Sequence, residues 1–137
     1  MKYLLDTNVI SELRKGPRCD ANVARWFDEV ADDALFLSVM VVGEIRCGIA
    51  RIAARDPVKT ERLERWLDGL IGHYGDRILP VDLKISDLWG RLNHPQPLPA
   101  VDGLMAATAA VHGLTLVTRN TSDVERTGVA LLNPFLT

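Results

Sequence analysis

Apolar residues fall in short bursts separated by longer stretches of helical periodicity. Tyr3-Leu4-Leu5 is one burst, and it stops at Asp6-Thr7-Asn8, the pattern of a buried strand running into a helix cap. Val9, Ile10 and Leu13 continue as a short helix that ends near Gly16-Pro17. Residues 20–31 form a second helix, with Val23, Trp26, Phe27 and Val30 on one face. A strand is predicted over 35–38 and a helix over 41–54. Asp56-Pro57, a cap followed by a first-turn proline, opens a helix that carries Leu63, Trp66, Leu67 and Leu70 to Gly72. A third strand is read over 78–81, and Ile85, Leu88, Trp89 and Leu92 mark the next helix. After a proline-rich loop over 94–99, small residues dominate a helix over 101–112 that Gly113 ends. A fourth strand is predicted over 114–118 and a fifth over 129–132.

Strands alternating with helices imply βαβ units. The expectation is an α/β fold of one domain, residues 1–137, with a mainly parallel four- to five-stranded sheet and helices on both faces. No repeat, linker or low-complexity stretch interrupts it.

That topology gathers residues distant in sequence. Every strand's carboxyl end shares one sheet edge with every helix N-terminus, and ligands bind along that edge. Asp6 follows the first strand, Glu44 lies early in the helix after the second, and Asp102 sits in the first turns of the helix before the fourth. Asn120 and Asp123 follow the fourth strand. Each acid alone has a plainer reading. Asp6 and Asp123 suit caps or turns, and Asp102 suits the helix dipole. Glu44, however, falls at helical spacing beside Val41 and Gly48, and Asp102 beside Met105, Ala106 and Ala109. Neither face is one that a solvated charge prefers. Asp28, Glu29, Asp32, Asp33, Glu61 and Glu64 read as solvated faces instead.

Clustered carboxylates cannot all stay ionised without a cation. Hard oxygen ligands suit Mg²⁺ or Mn²⁺, which generate a hydroxide nucleophile and offset charge on a phosphodiester. His73, His94 and His112 are scattered and form no competing constellation.

Charge and composition narrow the setting. The net charge of −2 gives no general argument for a nucleic-acid partner, so an RNA substrate needs local cations. Cys19 and Cys47 are too few for a disulfide framework and suit a reducing cytoplasm. Only two apolar residues separate Tyr3 from Asp6, so no signal peptide is read, and no apolar run approaches membrane-spanning length.

Four blocks together resemble the PIN-domain nucleases, most closely the VapC-type toxins of bacterial toxin–antitoxin modules. They are Leu4-Leu5-Asp6-Thr7-Asn8, Val42-Gly43-Glu44-Ile45, Val101-Asp102-Gly103-Leu104-Met105-Ala106-Ala107-Thr108, and Leu116-Val117-Thr118-Arg119-Asn120-Thr121-Ser122-Asp123. The resemblance implies that Asp6, Glu44, Asp102 and Asp123 hold the metal, that Asn120 assists, and that Ser38 or Thr118 supports them. It also implies cleavage of RNA, a homodimer and silencing by a cognate antitoxin. This chain has Val124 where the family often carries an aromatic residue.

Arg14, Lys15 and Arg18, with Arg46 and Arg119 beside acidic positions, offer phosphate contacts. Arg51, Arg55, Lys59, Arg62 and Arg65 read as solvated faces or a protein interface. Two other functions stay open. In one, Asp6 accepts a phosphoryl group, although Asn8 stands where a second acid is expected. In the other, a non-catalytic relative only binds RNA or protein.

Overall fold

The computed structural model describes residues 1–136. Its elements run β1 (Tyr3–Leu5), α1 (Thr7–Leu13), α2 (Ala21–Glu29), β2 (Leu35–Ser38), α3 (Val39–Ile52), α4 (Pro57–Tyr74), β3 (Ile78–Leu79), α5 (Leu83–Leu92), α6 (Ala100–His112), β4 (Thr115–Val117) and β5 (Leu131–Leu132). The strands form a five-stranded sheet in the order β3-β2-β1-β4-β5, and every pairing is parallel. Leu4 lies between Phe36 and Leu116, which sets the central register.

Successive strand residues point to opposite faces. Leu4 and Leu5 are both fully buried, as are Leu116 and Val117 to within 1%, so both faces of the central strands are covered. This is the burial expected of a parallel sheet flanked by helices. Among the described residues, no helix is long and apolar enough to cross a membrane.

The helix starts follow local chemistry. Asp6, Asp20, Ser38, Asp56 and Asp82 each accept backbone N–H bonds at the heads of α1, α2, α3, α4 and α5. Ser38 moves the start of α3 to Val39, ahead of the predicted residue 41. The third strand is shorter than expected, because Pro80 follows Leu79 and has no N–H to extend a ladder. Gly113 ends α6 with φ +65°, a left-handed conformation that glycine takes without strain.

Asp32 is exposed, as the solvated reading expects, and is also paired. It receives Arg77 Nη2 at 2.9 Å and lies 2.8 Å from His73 Nε2, tying the end of α4 to the turn before β2. The His73 hydrogen bond is the main reason its carboxyl sits below the usual range.

Helix α6 is buried along most of its length through Gly103, Met105, Ala106, Ala107, Thr108 and Ala109. Its small side chains allow close approach by α5. An added Cβ at Gly103 would lie 3.0 Å from Trp89 Cδ1 and 3.1 Å from Trp89 Nε1, so the indole rests directly on the α6 backbone. This contact sits next in sequence to Asp102.

Candidate active site

Asp6 leaves β1 and caps α1, so the plain cap reading holds, but it does not exhaust the residue. The residue is 7% exposed. Oδ1 accepts the Thr7 N–H at 2.7 Å, and Oδ2 accepts the Thr118 hydroxyl at 2.7 Å and the Asn8 amide at 3.4 Å. The Thr118 oxygen in turn accepts from Asn8 Nδ2 at 3.3 Å and from the Asn120 N–H at 3.1 Å. One hydroxyl donor and two acceptor positions are therefore all used. Asn8 completes the lattice by accepting the Arg119 N–H at 3.2 Å.

Glu44 lies in the second turn of α3 and is exposed. Its Oε1 accepts the Thr7 hydroxyl at 2.5 Å, which ties α3 to the head of α1. Asp102 lies in the first turn of α6 and is half-buried. Burial, and after it the carboxylates of Asp6, Asp123 and Glu44, push its carboxyl up to about 6. The four acids thus share one electrostatic field, with Asp102 in its middle. Asp123 is exposed in a short 3-10 turn, Thr121–Asp123. The next residue, Val124, is 2% exposed and joins the core, so valine anchors this turn without the aromatic residue. Asn120 is exposed just before that turn.

The donor set is all oxygen, the chemistry a hard divalent ion requires. Among the described residues, no three His, Cys, Asp or Glu side chains close on one point tightly enough to hold an ion as they stand. Ser38 is occupied by its capping bond to the Met40 N–H at 3.0 Å.

The expected arginines divide. Arg46 pairs with Glu64 at 3.3 Å, and the Arg119 guanidinium lies 4.5 Å over the Phe135 ring. Arg14 stands 5.6 Å over Trp66 in the groove between α1 and α4. Lys15 pairs with Glu12 at 3.0 Å. Thr7 and Asn8 were not singled out by the sequence reading. Their signal is the polar run directly after β1, which reads as a cap and as part of the family-like block Leu4-Leu5-Asp6-Thr7-Asn8, without a role for either side chain.

A parallel sheet in this strand order, with an acidic group at its carboxyl edge, belongs to the α/β class that places chemistry at strand ends. The chain belongs to the PIN domain family, whose model matches residues 3–129. It is 34% identical to Toxin FitB of Neisseria gonorrhoeae over 139 residues, covering 96% of this chain and 97% of that protein. It is 38% identical to VapC ribonuclease Y4jK of Sinorhizobium fredii, covering 96% of each. The solved structure of FitAB bound to an IR36 DNA fragment contains a chain that matches with a TM-score of 0.86 and 32% identity, covering 97% of this chain and 95% of that one.

Proposed function

We propose that this protein is a divalent-metal-dependent ribonuclease, the toxin of a toxin–antitoxin pair. The observation that carries the reading is the convergence on Asp102: its carboxyl is raised first by burial and then by three other carboxylates, which come from the segment after β1, from α3 and from the segment after β4. A fold does not gather like charges without a compensating partner, and Mg²⁺ or Mn²⁺ suits these oxygens. The relatives named as a toxin and as a VapC ribonuclease support the same reading.

In this reading Asp6, Glu44, Asp102 and Asp123 hold the metal, and Asn120 assists from the segment after β4. When bound, the ion supplies a water of lowered pKa and offsets charge on the phosphodiester. The protein's own part is positioning. Thr118 and the Thr7 N–H fix the Asp6 carboxylate, while the Thr7 hydroxyl directs Glu44. Glu44 and Asp123 are exposed, and a cation would draw both inward, Glu44 pivoting about its bond from Thr7. A cognate antitoxin, a homodimer and action in the cytoplasm belong to the same proposal.

The experiment is cleavage of cellular RNA by purified protein with Mn²⁺, with Mg²⁺ and with chelator. Activity should need the metal, and Asp6→Asn, Glu44→Gln and Asp102→Asn should each lose about 10²-fold or more, since small misplacement of a reacting group costs that much. In parallel, Mn²⁺ should raise the melting temperature of the wild type more than that of Asp102→Asn. Full activity in excess chelator would overturn the metal mechanism.

A further inference from the structure

Three adjoining depressions run along one side of the molecule, and all share Arg14 and Trp66. The first, beside Ile10, Leu13, Phe27, Leu70 and Tyr74, is apolar. The second is walled by Arg14, Arg18, Lys59 and Arg62, with Leu63 and Trp66 at its base. The third shares Arg14, Lys59, Leu63 and Trp66 with the second and runs on to Thr7 and Glu44. A cationic channel therefore leads straight to the acidic site.

Its walls follow from sequence spacing. Lys59, Arg62, Leu63 and Trp66 recur at helical intervals and share one face of α4. Arg14 caps the end of α1, and Arg18 lies in the following 3-10 turn, opposite that face. All four cations are exposed. Among the described residues none of the four side chains makes an ion pair or a hydrogen bond. By contrast Arg46, Arg65, Arg77 and Arg91 each pair with a carboxylate. In a chain of net charge −2, four cations with no carboxylate partner face one channel, Arg14 among them resting over the Trp66 ring, and together they mark a site for a polyanion.

We propose that Arg14, Arg18, Lys59 and Arg62 form a phosphate track that holds single-stranded RNA on one side of the scissile bond and feeds it to the acidic site. The proposal rests on the ribonuclease reading and names where its substrate lies. Continuity decides for RNA over an acidic protein segment. A phosphodiester must reach the acids at the Glu44 end, and a strand entering there carries one anion per nucleotide back along the channel. Arginine forks suit those phosphates, and Trp66 offers an apolar base. The apolar depression beyond Trp66, where Arg14 is the one lining residue with a permanent charge, lacks the charge such a strand requires.

The test is binding of a short fluorescein-labelled oligouridine in excess chelator, followed by anisotropy across a salt series. Four phosphate contacts give a slope of log affinity against log salt near −2.8, at about −0.7 per contact for single strands. Arg18→Glu/Arg62→Glu should bind at least about tenfold more weakly at low salt, with a slope shallower by about 1.4. Arg18→Lys/Arg62→Lys should retain most of the affinity. Arg65→Glu/Arg91→Glu has the same net charge as the weakened variant but lies off the channel, and it should lose little. Melting curves establish that each variant is folded, and Arg18→Gln/Arg62→Gln replaces the reversed pair if that one is not. No binding by wild type, or equal loss in the on-channel and off-channel pairs, would overturn the track. So would unchanged RNA binding in the Arg18→Glu/Arg62→Glu variant together with loss of its binding to the proposed cognate antitoxin, which would assign the channel to a protein segment. Because no metal takes part, failure here with metal-dependent cleavage intact removes the track and leaves the nuclease.

Discussion

The Thr118 hydroxyl donates to Asp6 Oδ2 at 2.7 Å, joining the ends of β4 and β1 across 112 residues of chain. Both groups are buried, so the bond cannot be exchanged for water at no cost. Thr118→Val keeps the shape and removes the hydroxyl. It leaves Asp6, Asn8 and the Asn120 N–H each short of a partner. The expected result is a loss of about 1–3 kcal/mol in urea unfolding. Cleavage should fall by more than the unfolded fraction explains, and Thr118→Ser should restore most of both.

The raised carboxyl of Asp102 makes stability depend on pH. Its ordinary value is 3.8, against about 6 in the folded chain. Between those values the folded protein holds a proton that the unfolded chain has released. The stabilisation is therefore complete below the ordinary value and is lost as pH rises through 6. Asp102→Asn should remove this fall and leave the metal-free protein more stable at neutral pH, by on the order of 1 kcal/mol after allowing for partial exposure. Melting temperatures of both proteins from acid to neutral pH in chelator test this, and parallel curves would contradict it.

Glu12 should behave in the opposite sense. It is 8% exposed and accepts the Asp20 N–H at 2.9 Å and Lys15 Nζ at 3.0 Å. The Asp20 backbone bond, then Lys15, holds its carboxyl below the usual range. Its contribution is present above the ordinary carboxylate value and disappears as pH falls through the folded one. Glu12→Gln should cost roughly 1–2 kcal/mol at neutral pH, and the gap to wild type should close in acid.

Gly103 offers a steric test. Alanine would raise helix propensity by about 1 kcal/mol, yet its Cβ would meet Trp89 at 3.0 Å. Overpacking typically costs about 1–3 kcal/mol, so Gly103→Ala should be neutral to destabilising rather than stabilising. It should also displace the first turn of α6 and with it Asp102. Trp89→Phe should relieve the clash, so the double variant is expected to recover both stability and the Mn²⁺-induced shift in melting temperature.

Much of this was legible in the sequence, because it depends on periodicity and topology. Alternating strands and helices fix a parallel sheet, and a parallel sheet puts Asp6, Glu44, Asp102 and Asp123 at one edge. Side-chain partners were not legible. Arg119 is adjacent to the site in sequence, but its guanidinium lies over Phe135, a contact made near the far end of the chain. Lys59 and Arg62 look like ordinary helix charges until α1 and its following turn are placed opposite them. A capping Asp6 and a metal-holding Asp6 share one sequence signature, and the bond from Thr118 to its second carboxylate oxygen is visible only in the fold.

The distance in sequence between Thr118 and Asp6 also sets an order of events during synthesis. The Asp6 carboxylate that follows β1 emerges first, but its fixing hydroxyl on Thr118 emerges 112 residues later, with the Asp123 turn just after it. Contacts between remote residues form only after the intervening chain is available. A chain emerging from its N-terminus therefore carries Asp6 without its Thr118 partner until the 112 residues that separate them have been made.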